Sequence, residues 1–385
     1  VPVIEGVLYD FAKMLRQGRK DLLELLDAIQ YSHNPPEIGH LARMTGLDVS
    51  YVRRVVENLR NTGVRARVDY SLQKLGLSYV ALESTGSNLK YIHVEHALKS
   101  ELRTALGALR IYASPQGAEE QLARYLIENY EGSRLNLLLA NEVLLSKPSF
   151  TYYFEEPKDI NPATALELLD NHPKIPIIEE KLYRLFHKPQ PTGKPAFRDL
   201  IDLMILAGLE IDSLSVQKSL VYIMKKLHDL SFPMRKYSKH KKHITSVIDG
   251  FKIMMYERMD VPAMLLYLNV QDNACMRSIA MSMSHYLYST QIVMYSDINK
   301  YTEIEEHMRK IGSKYNKNII TYNMLIILSS SPVYLYSIVD KLKEFCSISD
   351  INISFFIAEL GAKNYTLTYK MYSPLHAKWN IKLND

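Results

Sequence analysis

The chain has 385 residues, 47% of them hydrophobic and 23% charged, the composition of a globular protein too long for one ordinary core. Its 47 Lys and Arg against 42 Asp and Glu leave a formal charge of only +5, so bulk charge by itself does not imply a nucleic-acid partner. No apolar run reaches membrane-spanning length and no signal-peptide pattern opens the chain; two cysteines, Cys275 and Cys346, are too few and too far apart for a zinc motif, and nothing suggests a disulfide framework, so an intracellular protein is expected.

In chain order, apolar residues at helical spacing predict helices over 3–15 and 19–31. Pro35-Pro36 breaks the pattern, and a short helix then sets Ile38, Leu41 and Met44 on one face, with Gly46 as turn and Leu47 as its apolar plug. Asp48 or Ser50 caps the next helix, which turns Val52, Val55, Val56 and Leu59 inward. Its outer face carries Ser50, Tyr51, Arg53, Arg54, Glu57 and Asn58; after Gly63, the alternation of 64–68 places Arg65 and Arg67 on one side of a strand. Helix, turn, basic helix and basic strand predict a winged helix-turn-helix.

The period then changes. A strand over 77–83, a helix over 90–98, a hairpin over 102–113, a helix over 118–129 and a strand over 135–140 follow the ferredoxin-like split order. Prolines punctuate 148–194 as a connector with helices over 162–169 and 177–186. The plan then repeats: a helix over 197–207, Gly208-Leu209 in the place of Gly46-Leu47, a helix over 213–227, and the run Arg235–His243 where a wing belongs. Strands over 263–270, 290–295, 319–328 and 351–359 alternate with helices over 274–286, 301–315 and 333–345. The expected fold class is α+β, a winged helix-turn-helix followed by a ferredoxin-like unit, the pair repeated as a tandem duplication. The expected division is a first winged domain over 1–70, a ferredoxin-like unit over 71–150, a connector over 151–192, a second winged-helix-like domain over 193–250 and a second ferredoxin-like unit over 251–385.

Glu37-Ile38-Gly39-His40-Leu41-Ala42, Gly46-Leu47-Asp48, Val52-Arg53-Arg54-Val55, Leu59, Gly63-Val64 and Leu75-Gly76-Leu77 resemble the pattern of the Lrp/AsnC family of archaeal and bacterial transcription regulators, over about sixty residues. The resemblance implies a RAM/ACT-like ferredoxin unit for effector binding and oligomerisation, and hence a DNA-binding regulator or DNA-organising protein. It is expected to act as a cytoplasmic, nucleoid-associated homodimer, with no enzymatic activity, no cofactor and no membrane partner. Rival expectations are an RNA- or ribosome-associated protein and a protein-interaction scaffold.

Double-stranded DNA would be met by Ser50, Tyr51, Arg53, Arg54, Arg65 and Arg67 in the first half and by Gln217, Lys218, Lys225, Arg235, Lys236, Lys239, Lys241 and Lys242 in the second. From Gln217 to His243 eight basic residues stand against the single acid Asp229, dense enough to hold phosphates. The bland alternative for each set is a solvated basic face. His240 and His243 are poor metal candidates amid so many cations, and His93 and His96 have no evident third ligand. By the resemblance, a small-molecule effector such as an amino acid would sit at Ser114, Gly117 and Glu120. The alternative is a helix start with acids favourably placed on its dipole.

Overall fold

The computed structural model describes residues 20–85, 94, 97–104, 107–154, 176–187, 199–214, 222, 225–226, 234–254, 264–286, 289–329, 335–345, 348, 351–355, 362–367, 369–376 and 378–383. The helices expected over 3–15 and 162–169 lie outside these residues, as do most of 90–98 and of 213–227.

Helix α1 (Lys20–Gln30) is buried through Leu22, Leu23, Leu25, Leu26 and Ile29, the stripe that its spacing predicts. Helix α2 (Ile38–Thr45) stops at Gly46, whose φ of 71° is the left-handed conformation that a residue without Cβ adopts at low cost. Met44, expected inside, is exposed, and Leu41 and Ala42 carry the burial. Helix α3 (Val49–Asn61) starts on Asp48, whose carboxylate accepts the backbone N–H of Ser50 and Tyr51 at 2.8 and 3.2 Å. Strand β1 (Arg65–Tyr70) and the short helix α4 (Leu72–Leu75) lead into β2 (Leu77–Thr85), β3 (Leu98–Arg103), β4 (Gly107–Pro115), helix α5 (Glu119–Asn129), β5 (Arg134–Ala140) and β6 (Glu142–Leu145). Helices α6 (Phe150–Phe154), α7 (Pro176–His187), α8 (Leu200–Asp212) and α9 (Met234–Ile244) follow.

Two features of this middle stretch differ from the sequence expectation. Gly208-Leu209 is not a turn: both residues are buried inside α8, which a capping box of Asp199 and Asp202 starts two turns earlier. The basic run is not a wing loop either. It forms α9, as lysines and an arginine, good helix formers, allow. Strand comes only after it, as β7 (Ile248–Met254), which pairs antiparallel with β1 in the register Val68 to Phe251.

The remaining elements are β8 (Met264–Leu268), α10 (Asn273–His285), β9 (Ser289–Met294), α11 (Ile298–Lys314), β10 (Asn318–Thr321), β11 (Met324–Leu328), α12 (Leu335–Phe345), β12 (Ile351–Phe355), β13 (Ala362–Asn364) and the small pair β14 (Tyr372–Ser373) and β15 (Lys378–Trp379). The strand expected over 319–328 is thus two strands, and they belong to different sheets. Cys275, read from sequence as outside any disulfide framework, is disulfide-bonded.

The architecture is mixed α+β. Besides the two-stranded β1-β7 and β14-β15, one large sheet has the order β10-β5-β2-β4-β3-β13 and the other β12-β8-β11-β9-β6. Only the β10–β5 pair among their described ladders is parallel. Leu265, Tyr267, Val293, Leu325 and Ile327 share a core with the first sheet, while the alternate residues Met264, Leu266, Ile292, Met294 and Ile326 pack with α7, α10 and α12. The second sheet is therefore covered on both faces, which is why β8 and β11 read as unbroken apolar runs instead of alternating.

The sheets are laced together by strands that cross over. Between β5 and β6 the chain changes sheet at Asn141, whose side chain donates to Ser296 Oγ and accepts the Ser296 N–H, each at 3.0 Å. Between β10 and β11 it changes sheet again at Asn323, whose amide donates to the Val270 carbonyl at 2.7 Å and accepts the Val270 N–H at 2.9 Å. Each amide satisfies a backbone group that would otherwise lose its partner where a ladder ends.

Candidate functional site

Three of the charge clusters among the described residues bear on the site, and two of them are closed. In the first, Asp69 of β1 takes hydrogen bonds from Lys147 and, at 3.1 Å, from Lys181. Arg184 grips Asp249 with two bonds of 3.1 and 2.9 Å, and Lys181 lies 3.3 Å from the same carboxylate. Glu142 accepts from the Leu72 N–H at 3.1 Å. Burial opposes ionisation of Asp249, yet Lys181 and Arg184 hold its carboxyl well below the usual range; for Lys181, the surrounding Asp69, Glu142 and Asp249 overcome burial and raise the ammonium. Burial wins at Lys147, which is lowered in spite of Asp69. Gly250 makes this closure possible. Its φ is 120°, and a Cβ there would meet the Gln30 carbonyl oxygen at 2.5 Å.

In the second cluster Glu210 of α8 is held by Lys99 Nζ at 2.7 and 2.9 Å, by the Tyr70 hydroxyl at 2.6 Å and by the Leu367 N–H. Burial pushes Lys99 down to about 8, while Lys99 and Arg67 together keep Glu210 below its ordinary value in spite of burial. The adjoining cavity, between β1, β3 and β9, is only about 40 Å³. That is room for water but not for an organic ligand. Perturbed ionisation here marks a structural knot, which such shifts also do.

The third cluster is open. A cleft of about 670 Å³ has β10 as its floor, α11 as one wall, and Asn269 with the start of β12 as the other. Arg134, Arg309 and Lys317 line it, together with the amides of Asn269, Asn318 and Asn352 and the carboxylate of Glu305. Its cations are held in place by the protein. Arg309 pairs with Glu305 at 2.7 Å, and Lys317 donates to the carbonyls of Ile127 and Glu128 at the end of α5. Partial burial lowers Lys317, with Glu128 opposing the shift. Asn352 Nδ2 donates to the Tyr322 hydroxyl at 2.9 Å. The bend into the cleft is made by Asn316, a non-glycine residue at φ 53°, and by Gly312, where a Cβ would stand 2.8 Å from Ile319. A volume in the range of small-molecule sites, at the seam of two sheets and lined by convergent polar groups, makes this the candidate site.

The residues expected to meet DNA are scattered among other tasks. Arg65 donates to the Arg60 and Val64 carbonyls at 3.1 Å and lies 3.9 Å from Asp212; Arg67 lies 3.8 Å from Glu210. The Tyr51 hydroxyl donates to Asp21 at 3.1 Å, and Ser50 bonds to Asp48. Arg53 and Arg54 are exposed, the latter 5.5 Å over the Tyr51 ring. Lys241 pairs with Glu37 at 2.6 Å, and Lys225, Lys239 and Lys242 are exposed. Arg235 and Lys236 lie in the first turn of α9, and Gln217 and Lys218 fall outside the described residues. Ser114, Gly117 and Glu120 come together at the turn from β4 into α5, with Gly117 at φ 88° and the Ser114 hydroxyl on the Pro115 carbonyl at 3.2 Å. None of the three lines the cavity or the cleft. The sequence reading missed Arg134, Asn269, Arg309, Lys317 and Asn352; the only local signal among them is the i,i+4 pair of Glu305 and Arg309.

No family model matches the chain, and no curated protein matches it. Two solved structures are similar to it. One is the siroheme decarboxylase NirDL, at 10% identity and TM-score 0.44, covering 91% of this chain and 94% of that chain. The other is the same enzyme in co-complex with an iron-uroporphyrin III analogue, at 10% identity, TM-score 0.43 and the same coverage. The expected assignment to the Lrp/AsnC regulators is corrected accordingly, and so are the expected function in DNA binding and transcription regulation and the expected lack of enzymatic activity. The similar structures are those of an enzyme, and the RNA-binding and scaffold alternatives gain no support. The internal pairing of Arg65, Arg67 and Lys241 gives the physical side of that correction, since cations set against the protein's own carboxylates and carbonyls have less to offer phosphates. Among the described residues no helix is long and apolar enough to cross a membrane.

Proposed function

We propose that the chain binds a small organic polyanion in the cleft between the β10 and β12 edges of its two sheets. The observation that carries this reading is the cleft itself: about 670 Å³, with Arg134, Arg309 and Lys317 around a floor of polar backbone and amide groups. Charge-assisted hydrogen bonds from guanidinium to carboxylate or phosphate supply the affinity, and the asparagines supply orientation. The repeated strand rank, fourth-first-third-second in β5-β2-β4-β3 and in β12-β8-β11-β9, supports a tandem duplication of ferredoxin-like units. In this reading the cleft is a product of the duplication, because β10 is inserted in the second unit and completes the first sheet.

Thermal unfolding with citrate, inositol hexakisphosphate and uroporphyrin III, three polyanions of increasing size, tests it. A ligand that binds the folded chain raises its melting temperature as its concentration passes Kd. At least one of the three is expected to do so in the wild type and to lose the effect in Arg134→Ala/Arg309→Ala. No shift with any of them, or a shift unaltered in that variant, would sink the proposal.

A further inference from the structure

Helix α9 places His240 and His243 one turn apart, and both imidazoles turn Nδ1 to one oxygen, Oδ1 of Asp202, at 2.9 and 3.3 Å. Asp199 Oδ1 stands 3.3 Å from His240 Nδ1. Asp202 is fully buried, and its other oxygen is occupied by the Asp199 N–H of the α8 capping box. The donor atoms of Asp202, His240 and His243 lie within 4.8 Å of one another. Ligands about 2.0–2.1 Å from a tetrahedral zinc are about 3.3–3.4 Å apart, close to the 2.9 and 3.3 Å that separate the two Nδ1 atoms from Asp202 Oδ1. Three lysines of α9, which make the sequence look hostile to a cation, do not oppose it in space: Lys241 is neutralised by Glu37 at 2.6 Å, and Lys239 and Lys242 are in solvent.

We propose that Asp202, His240 and His243, with Asp199 facing the fourth position, bind a divalent transition metal of the zinc class. Two imidazoles and carboxylate oxygen suit such an ion, and neutral imidazoles bound through Nδ1 keep their proton on Nε2. The ion would pin α9 to α8 independently of the cleft. The competing state is a hydrogen-bonded Asp–His–His knot with no metal.

The chelator-treated chain, titrated with Co²⁺ and followed by visible absorption, tests the site. One equivalent is expected to give the intense d–d bands of tetrahedral cobalt, which Zn²⁺ then abolishes. His243→Ala, a half-buried position, is expected to bind at least about ten-fold more weakly, a loss on the scale seen when metal sites are impaired. Absence of tetrahedral bands in the wild type, or equal affinity in folded His243→Ala, overturns the proposal in favour of the hydrogen-bonded knot. X-ray absorption of the zinc-loaded wild type needs no variant. Two imidazoles with oxygen donors are expected there, and a shell without paired imidazoles overturns the assignment.

Discussion

The clasp around Asp69 and Asp249 and the cleft under α11 both gather cations, but they gather them to opposite ends. Lys147, Lys181 and Arg184 are closed against carboxylates on β1 and β7, with no room between them. Arg134, Arg309 and Lys317 line open space, Arg309 beside Glu305 and Lys317 at the carbonyl end of α5. Charge alone therefore says little. What separates the two is enclosure: the clasp's cations and carboxylates are buried together, whereas Arg309 stays 68% exposed although Glu305 pairs with it.

If that contrast is right, removing the clasp's anion is the largest single loss. Asp69→Ala leaves Lys147 and Lys181 buried without their shared carboxylate and is expected to cost about 3–5 kcal/mol in urea unfolding; a cost below about 1 kcal/mol would mean that water enters the clasp. At the second closed knot Glu210→Gln is expected to cost about 2–3 kcal/mol, because the hydrogen bonds it weakens are charge-assisted ones in a buried setting. Its partner gives a pH signature. Lys99 is held near 8 in the folded chain against an ordinary 10.5, so between those values the unfolded chain carries the extra proton and stability rises with pH. Lys99→Met removes that gain. Wild-type stability minus the variant's should climb from pH 8 to 10.5 and be level well below 8; a flat difference throughout would mean that Lys99 is not desolvated.

Smaller effects belong to the open site. Gly312→Ala sets a methyl group 2.8 Å from Ile319 and should cost about 1–2 kcal/mol while displacing the cleft floor, so polyanion binding weakens along with stability. Arg309→Ala should do the reverse of a clasp variant, costing about 1.4 kcal/mol, or ten-fold, in polyanion affinity by calorimetry and under about 0.5 kcal/mol in stability. Arg53→Ala/Arg54→Ala on the exposed face of α3 should change neither quantity by more than about 0.5 kcal/mol. An effect on polyanion affinity there would locate the ligand at the wrong end of the molecule.

Much of the local structure is legible in the sequence. The stripe of Leu22, Leu25, Leu26 and Ile29, the Asp48 cap and the turn at Gly46 all follow from spacing and residue type. What spacing does not carry is partnership. Nothing near residue 318 marks β10 as a strand of the first sheet, because its partner β5 lies far back in the chain and the evidence of pairing is the register itself. The same holds for Asp69, Glu142, Lys181 and Asp249, each an ordinary charged residue until the fold closes them together. Arg65 and Arg67 show the converse error. Their alternation is visible, but the acids of α8 that face them are remote in sequence. The cleft was invisible for this reason: its walls come from β5, α11, β10 and β12, and only the fold brings them around one space.

Hydrogen–deuterium exchange of the full chain, with and without the polyanion that stabilises it most, bears most directly on the cleft as binding site. Protection is expected over residues 318–322 and 351–352 and in the last turns of α11, with exchange in α3 and in the clasp unchanged. Protection confined to α3 or α9, with the β10 and β12 edges exchanging as before, would contradict it.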